Sequence, residues 1–341
     1  MATIKDVARL AGVGVGTASR AISGRGAIAP DTLERVQTAA RALAFRPSVT
    51  ARALSLKSVG MLGVYVPTFT GTFYGPILAA IDAELRAVQR HMVAASGCGQ
   101  GDARQQALDG VDFLMERECD GIVVLSNALQ EADFIALQQR AGQLVVLNRD
   151  IAALAEQCFT VDHVEAGRLA ARALLEQGHR SMALIAGPQH APDNLARVAG
   201  FEGELARHGL HIQAAHRFEG DFSFASGCAG AAQLLAAGDR DCSALFCAND
   251  EMAIGAISRL SQAGLQVPRD ISIMGFDDSP VAAYGVPPLT TVQVPMRTVA
   301  VNGCRHLINR CYGLDLPVLR MFPAQLVWRS SVAAGPHPPL R

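Results

Sequence analysis

The chain has 341 residues, half of them apolar, and it carries 30 basic against 31 acidic side chains. This balance excludes a largely disordered chain, and the length suits two or three compact domains. The longest uninterrupted apolar runs, such as 121–125 and 144–147, are far shorter than the ~20 residues that cross a bilayer, so we expect no membrane span. The first residues carry no apolar export signal, which favours the cytoplasm.

The charge is distributed unevenly along the chain. Residues 1–57 hold nine basic and three acidic side chains, a net charge of +6, whereas the remainder holds 21 and 28, a net charge of -7. Such asymmetry indicates a segment that binds nucleic acid or a membrane, joined to something else. The eight cysteines include no Cys-x-x-Cys pair, so we predict neither a zinc site nor a disulfide framework.

Three short helices are predicted in the basic segment. Thr3 and Asp6 form a capping-box pattern ahead of apolar residues at helical spacing, and the glycines at 12–14 end that helix. A second helical stretch runs from 15 to 22, and a third follows Pro30. Two short helices joined by a Gly-containing turn are typical of a helix-turn-helix, and they are too interrupted for an amphipathic membrane helix. The sequence therefore favours nucleic acid as the partner of this segment.

The remainder of the chain alternates apolar runs with stretches long enough for crossover helices. Such alternation predicts parallel sheets covered by helices on both faces, and the length favours two similar lobes. The predicted strands include the runs 61–66, 92–95, 121–125, 144–147, 182–185, 244–247 and 271–274.

Three motifs in order resemble the lactose/galactose repressor family of bacterial transcription regulators: residues 3–13, Thr17-Ala-Ser-Arg20, and residues 46–54. The resemblance extends along nearly the whole chain. It implies an all-α helix-turn-helix DNA-binding head and an α/β core like that of periplasmic binding proteins, with two doubly wound parallel-sheet lobes. The implied segments are a head at 1–45, a hinge at 46–58, an effector-binding and dimerisation core at 59–331 and a disordered tail at 332–341. Within the two-lobed core, the N-lobe takes about 59–160 and 291–320, and the C-lobe takes about 161–290 and 321–331.

In such a head the second helix enters the major groove and its first residues face base edges. The resemblance implies that Val15, Gly16 and Arg20 read bases, and that Arg20 alone can contact a guanine through two hydrogen bonds. In the hinge, Leu54 matches a leucine that wedges into a base step of the minor groove. The remaining implied DNA contacts are Thr3, Thr17, Ser19, Ser48 and Ala51.

Two helix starts depart from the family pattern. Gly14 stands where a Ser cap is frequent, and Ala29 precedes Pro30 where a hydroxyl cap is usual. A cap lost to Ala costs about 1 kcal/mol and a cap lost to Gly only a few tenths, so we expect the third helix to fray more than the second.

Polar side chains follow several predicted strands, where parallel sheets bind ligands. A planar Arg and a carboxylate can each engage neighbouring sugar hydroxyls, while an aromatic ring covers the apolar face of the sugar. Together with the resemblance, this predicts an effector site for a mono- or disaccharide at Phe73, Tyr74, Asn148, Arg149, Asp162, Arg197, Phe222, Asn249 and Asp277.

Enzyme signatures are lacking: the sequence holds no G-x-S-x-G elbow, no H-E-x-x-H and no P-loop, so we expect no catalytic residue, metal or cofactor. The expected function is a homodimeric repressor of a carbohydrate-utilisation operon that binds operator DNA and is released by a small sugar. Two alternatives stay open, a nucleoside- or purine-responsive regulator of the same fold and a sugar-binding protein without DNA function.

Overall fold

A computed structural model describes residues 2–23, 27–45, 58–97, 101–238 and 242–338. The N-terminal head contains α1 (Ile4–Ala11), α2 (Val15–Ser23) and α3 (Pro30–Ala42). These bounds confirm the three predicted helices. Their shared core is made of small and β-branched side chains, namely Val7, Ala8, Ala11, Ala18, Ala21, Val36 and Ala39.

The ends of the head helices follow from local residue chemistry. The Thr3 hydroxyl caps the amide of Asp6 and the Asp6 carboxylate accepts from the Thr3 amide, which confirms the predicted capping box. Gly12 ends α1 with a φ of 64°, a left-handed conformation that glycine adopts at little cost. At the start of α3, Ala29 provides no side-chain cap.

The first lobe is built on a five-stranded sheet with the strand order β2-β1-β3-β4-β5. Its strands read as continuous apolar runs because helices cover both faces of the sheet. The strands are β1 (Met61–Val66), β2 (His91–Ser96), β3 (Gly121–Val124), β4 (Leu144–Leu147) and β5 (Cys158–Phe159). The helices that follow β1, β2 and β3 are α4 (Tyr74–Ala87), α5 (Ala103–Glu116) and α6 (Glu131–Ala141).

The second lobe holds a six-stranded sheet with the order β11-β10-β9-β8-β6-β7. Its strands are β6 (Met182–Ala186), β7 (Arg217–Glu219), β8 (Ala244–Cys247), β9 (Ser272–Asp277), β10 (Thr290–Gln293) and β11 (Gln325–Val327). Its helices are α7 (His163–Glu176), α8 (Pro192–Arg207), α9 (Phe224–Ala237) and α10 (Asp250–Gln262). The predicted parallel sheets are confirmed except at one edge of this sheet, where β11 pairs antiparallel with β10 because the chain returns to the sheet from the other lobe.

The second crossing between the lobes falls between β10 and α11 (Met296–Tyr312). α11 packs on the first lobe so closely that a Cβ at Gly303 would lie 2.6 Å from Leu147 Cδ2 on β4. The chain therefore returns to the first lobe at 294–295, slightly later than the predicted 291.

The expected disorder of the tail is wrong for residues 332–338. Gly335 donates its amide to Gln177 O at 2.7 Å, and Ala333 donates to the Ser272 hydroxyl at 3.0 Å. Arg180 adds a hydrogen bond to Pro338 O. The Pro- and Gly-rich composition favours disorder, but backbone hydrogen bonds hold these residues in place. Composition alone does not reveal such bonds. Within the described ranges, no helix is long and apolar enough to span a bilayer.

Candidate functional site

The second head helix presents a polar, accessible face. Val15 is 44% exposed, Gly16, Ser19 and Arg20 are exposed, and Thr17 is half-buried. The opposite face of α2 is buried in the core of the head. Among the described residues, the Arg20 guanidinium makes one long contact of 3.4 Å to Gly16 O on its own helix, which leaves its other donors without a partner there. The predicted base-reading positions therefore share one accessible helix surface.

The other predicted DNA contacts divide between the cap of α1 and the hinge. The Thr3 hydroxyl contacts the Asp6 carboxylate at 2.7 Å, so Thr3 is already engaged in the helix cap. The predicted hinge contacts Ser48, Ala51 and Leu54 lie outside the described residues.

A cavity of about 330 Å³ lies between the two lobes of the core. Its volume is at the lower end of the range typical of small-molecule sites. The cavity collects seven of the nine predicted effector residues, namely Phe73, Tyr74, Asn148, Arg197, Phe222, Asn249 and Asp277.

Arg197, on α8, is the buried charged centre of this cavity. Its guanidinium donates to the Asp193 carboxylate at 2.9 Å and to the carbonyl oxygen of Ala248, and it lies 3.7 Å from the Asp277 carboxylate. The guanidinium also stacks over the Phe276 ring at 4.2 Å. Arg197 is only 3% exposed, and the two carboxylates compensate the cost of burying its charge.

Asp277 ends β9 at the carboxyl edge of the second-lobe sheet. Burial raises the pKa of this carboxyl, and the charges of Asp250, Asp193 and Glu251 raise it further, whereas Arg197 lowers it. Asp277 is therefore protonated more readily than an exposed aspartate.

Three cavity residues other than glycine adopt left-handed backbone conformations. The φ angles are 61° at Asn148, 70° at Phe222 and 101° at Asp277. A residue with a β-carbon pays of order 1–3 kcal/mol for such a conformation, and residues of this kind cluster at ligand sites. Asn249 stabilises the left-handed conformation of Phe222, because its side-chain amide donates to Phe222 O at 2.9 Å. The Asn249 side-chain oxygen also caps α10 by accepting from Met252 N, so this residue positions its neighbours.

Phe73 and Tyr74 contribute the aromatic wall from the first lobe. Their rings meet edge to face, with centroids 5.1 Å apart and an interplanar angle of 87°. Burial raises the pKa of the Tyr74 hydroxyl, and the charges of Asp193 and Asp277 raise it further. Tyr74 therefore keeps its proton and can donate a hydrogen bond inside the cavity.

Two predicted effector residues do not line this cavity. Arg149 donates to the carbonyl oxygens of Ser126 and Leu129 at 3.3 and 3.1 Å, and burial lowers its pKa. Asp162 is exposed and caps α7 by accepting from Glu165 N at 2.8 Å. Arg149 Nη1 and Asp162 Oδ1 thus serve local structure, and both residues line a second cavity together with Asn148 and Asp193.

The sequence reasoning missed three carboxylates that line the cavity, Asp193, Asp221 and Glu251. Asp193 accepts from Asn148 of the first lobe at 3.2 Å, and its second carboxylate oxygen is buried without a hydrogen-bond partner among the described residues. A signal for Asp193 exists in the sequence, because it lies four positions before Arg197 on one helix and such pairs meet. Glu251 accepts from Thr72 of the first lobe, a contact that no local pattern indicates.

Two family models match the chain. Residues 3–48 match the bacterial regulatory proteins of the lacI family, and residues 171–332 match the periplasmic binding protein-like domain. The regulator GalS of Salmonella typhimurium is 30% identical over 334 residues, covering 98% of this chain and 97% of GalS. The repressor PurR of Vibrio vulnificus is 32% identical over 336 residues, covering 97% of this chain and 99% of PurR.

Solved structures of regulators are also similar to this chain. A lac repressor dimer bound to operator and the anti-inducer ONPF superposes with a TM-score of 0.86 at 28% identity, covering 98% of this chain and 99% of that one. A complex of the regulator CelR with cellobiose has a TM-score of 0.70 at 29% identity, covering 97% and 100%. Since full-length relatives, the head and the two-lobed core all agree, this chain belongs to the lacI family of bacterial regulatory proteins and is a DNA-binding transcriptional regulator of that family.

Proposed function

We propose that this regulator is a cytoplasmic homodimeric repressor of a carbohydrate-utilisation operon and that a small sugar, bound in the cavity between its lobes, controls its hold on operator DNA. It acts by binding and not by catalysis. The head at 1–45 reads the operator, the hinge contributes minor-groove contacts through Ser48, Ala51 and Leu54, and the core at 59–331 senses the effector.

The cavity is the observation that carries this proposal. It places a buried guanidinium and carboxylates beside aromatic rings, a combination that suits sugar hydroxyls and the apolar face of a sugar ring. Because residues of both lobes line it, a bound sugar would favour one arrangement of the lobes, and a ligand shifts an equilibrium by its differential affinity for two states. The CelR–cellobiose complex supports a sugar as the ligand class.

A homodimer fits both the relatives and the surface of the second lobe. Tyr284 and Val286 are 85% and 91% exposed, which leaves apolar side chains available for a subunit contact. The lac repressor dimer on its operator supports a two-fold complex that reads two half-sites.

The proposed DNA contacts are tested with an operator obtained by in-vitro selection on the full chain. We expect Arg20→Ala to cost about 1–3 kcal/mol of specific binding and to relax the base preference at one position of each half-site. Arg259→Ala, which alters a helix of the second lobe, is the matched control. If Arg20→Ala discriminates between bases as well as the wild type does, Arg20 does not read a base.

The proposed effector class is tested by measuring operator affinity in the presence of single sugars and of purine bases. A sugar that changes operator affinity supports the proposal and shows whether it induces release or promotes binding. The relative PurR makes a purine the second candidate, and a response to hypoxanthine or guanine alone would favour it over a sugar.

A further inference from the structure

The cavity between the lobes has an excess of negative side chains. Four carboxylates line it, from Asp193, Asp221, Glu251 and Asp277, and Arg197 is the one cation among the described residues that do so. Among these carboxylates, hydrogen bonds from Ser223 hold the pKa of Asp221 below its ordinary value. Burial raises the pKa of Asp277, but three carboxylates face the one guanidinium even when Asp277 is protonated, so the lining favours neutral ligands over anions.

The donors of Arg197 are largely engaged within the protein. Nη2 donates to Asp193 Oδ2 and Nη1 to Ala248 O, while Nε lies 3.4 Å from Asp193 O. A guanidinium has five N–H groups, and a phosphate or carboxylate needs two of them side by side. Three of the five N–H groups of Arg197 therefore already have carboxylate or carbonyl partners, which weakens its ability to bind an anion through two hydrogen bonds.

Two carboxylates of the cavity lining keep acceptor capacity, those of Asp193 and Asp277. Asp193 Oδ1 is buried with no hydrogen-bond partner among the described residues, and a buried acceptor in that state costs free energy until a donor reaches it. The Asp277 carboxylate lines the cavity and lies no closer than 3.7 Å to the Arg197 guanidinium. A ligand rich in hydroxyl donors satisfies both carboxylates, whereas a phosphate supplies only acceptors at neutral pH.

From this distribution of charges and donors we infer that the effector is an uncharged, hydroxyl-rich sugar and that the cavity discriminates against phosphorylated and carboxylated sugars. The inference rests on the proposed function and specifies its ligand class. Asp193 and Glu251 are the residues that carry the discrimination. The raised pKa values of Asp277 and Tyr74, to which neighbouring carboxylates contribute, agree with a negative potential in the same place.

The experiment compares matched pairs of ligands on the full chain: glucose, galactose and cellobiose, each with its 6-phosphate. Thermal shift identifies binders and isothermal titration calorimetry gives their dissociation constants. We expect at least one uncharged member to bind and its 6-phosphate to bind at least tenfold more weakly. A 6-phosphate that binds as tightly as its parent, or more tightly, overturns the inference but leaves the sugar proposal standing. If no member of either set binds, the sugar proposal fails and this inference fails with it.

Charge-neutral variants test which residues discriminate. Asp193→Asn with Glu251→Gln removes two negative charges while keeping an acceptor oxygen at each position, and we expect the preference for the uncharged partner to shrink severalfold. Asp315→Asn, an exposed carboxylate outside the cavity lining, is the matched control and should keep the wild-type preference. An unchanged preference in the double variant would assign the discrimination to other groups and contradict the role given to this pair.

Discussion

Glu251 accepts two hydrogen bonds from Thr72, one from its backbone amide and one from its hydroxyl, both at 2.7 Å. Thr72 precedes α4 in the first lobe, and Glu251 lies in the first turn of α10 in the second. The preceding Gly71 has a φ of 81°, and a Cβ there would lie 3.2 Å from Glu251 Oε1. This contact joins the lobes at the wall of the effector cavity.

The contact predicts that Thr72→Val weakens effector binding without unfolding the chain. The valine removes the hydroxyl donor and keeps the amide, and a hydrogen bond to a charged group contributes about 1.5 kcal/mol or more. We expect about a tenfold loss of affinity for the sugar that binds the wild type, measured by calorimetry. Thr298→Val, on the exposed face of α11, is the control. Equal affinity in both variants would show that the contact does not favour the sugar-bound state.

Arg197→Lys should fold less stably and lose the effector response. A lysine cannot hold the Asp193 carboxylate and the Ala248 carbonyl together, nor stack flat on Phe276. Because breaking a buried ion pair costs about 3–5 kcal/mol and lysine keeps part of the charge interaction, we expect a loss of about 2 kcal/mol in urea unfolding. Arg207→Lys, an exposed arginine on the same helix that pairs with Glu204, should change stability by less than about 0.5 kcal/mol. If Arg197→Lys is as stable as Arg207→Lys, the role given to Arg197 as the buried charged centre of the cavity is contradicted.

Ala29→Ser should tighten the start of α3. The first amides of this helix have no side-chain cap, and a Ser there contributes about 1 kcal/mol. We expect amide hydrogen exchange in the first turn, residues 31–33, to slow by about fivefold, with exchange in α1 unchanged as the internal control. Exchange that is equally fast in the variant would mean that the uncapped turn is already stable.

We expect the buried carboxyl of Asp250 to make the free energy of unfolding depend on pH. Burial raises the pKa of its carboxyl to about 7, while hydrogen bonds from Thr291 and Ser279 oppose that rise. Between about pH 4 and 7 the folded state holds a proton that the unfolded chain has released, so the unfolding free energy falls as the pH rises through this window.

The measurement is urea unfolding from pH 5 to 8 on the wild type and on Asp250→Asn. The stability of the wild type relative to the variant should decline with rising pH, by at most about 1.4 kcal/mol per unit, and level off above pH 7. If the unfolding free energies of the wild type and of Asp250→Asn change in parallel from pH 5 to 8, Asp250 is ionised over that whole range.

The sequence predicted best what is determined locally. The helices of the head and strands such as β1 and β4 were predicted to within a residue or two, because caps, glycines and apolar runs act within a few positions. Seven of the predicted effector residues line one cavity, to which the carboxyl ends of parallel strands contribute. Arg149 does not line that cavity, and its acceptors, Ser126 O and Leu129 O, are backbone atoms of another strand end. Likewise, the hydrogen bond between Asn148 and Asp193 spans 45 positions and has no sequence signature.

The residues around Arg197 have a consequence for the order of events in sensing. Arg197 and Asp193 lie on α8, and Phe222, Asn249 and Asp277 are all carried by the second lobe, held by hydrogen bonds and ion pairs that need no residue of the first lobe. One half of the proposed receptor is thus held together mainly by contacts within the second lobe. If the lobes open, we expect a sugar to bind this half first and the first lobe to add Phe73, Tyr74 and Thr72 as a cover. Substitutions on α8 should therefore remove contacts made by this half, whereas substitutions in the cover, such as Thr72→Val, should reduce the affinity that the first lobe contributes.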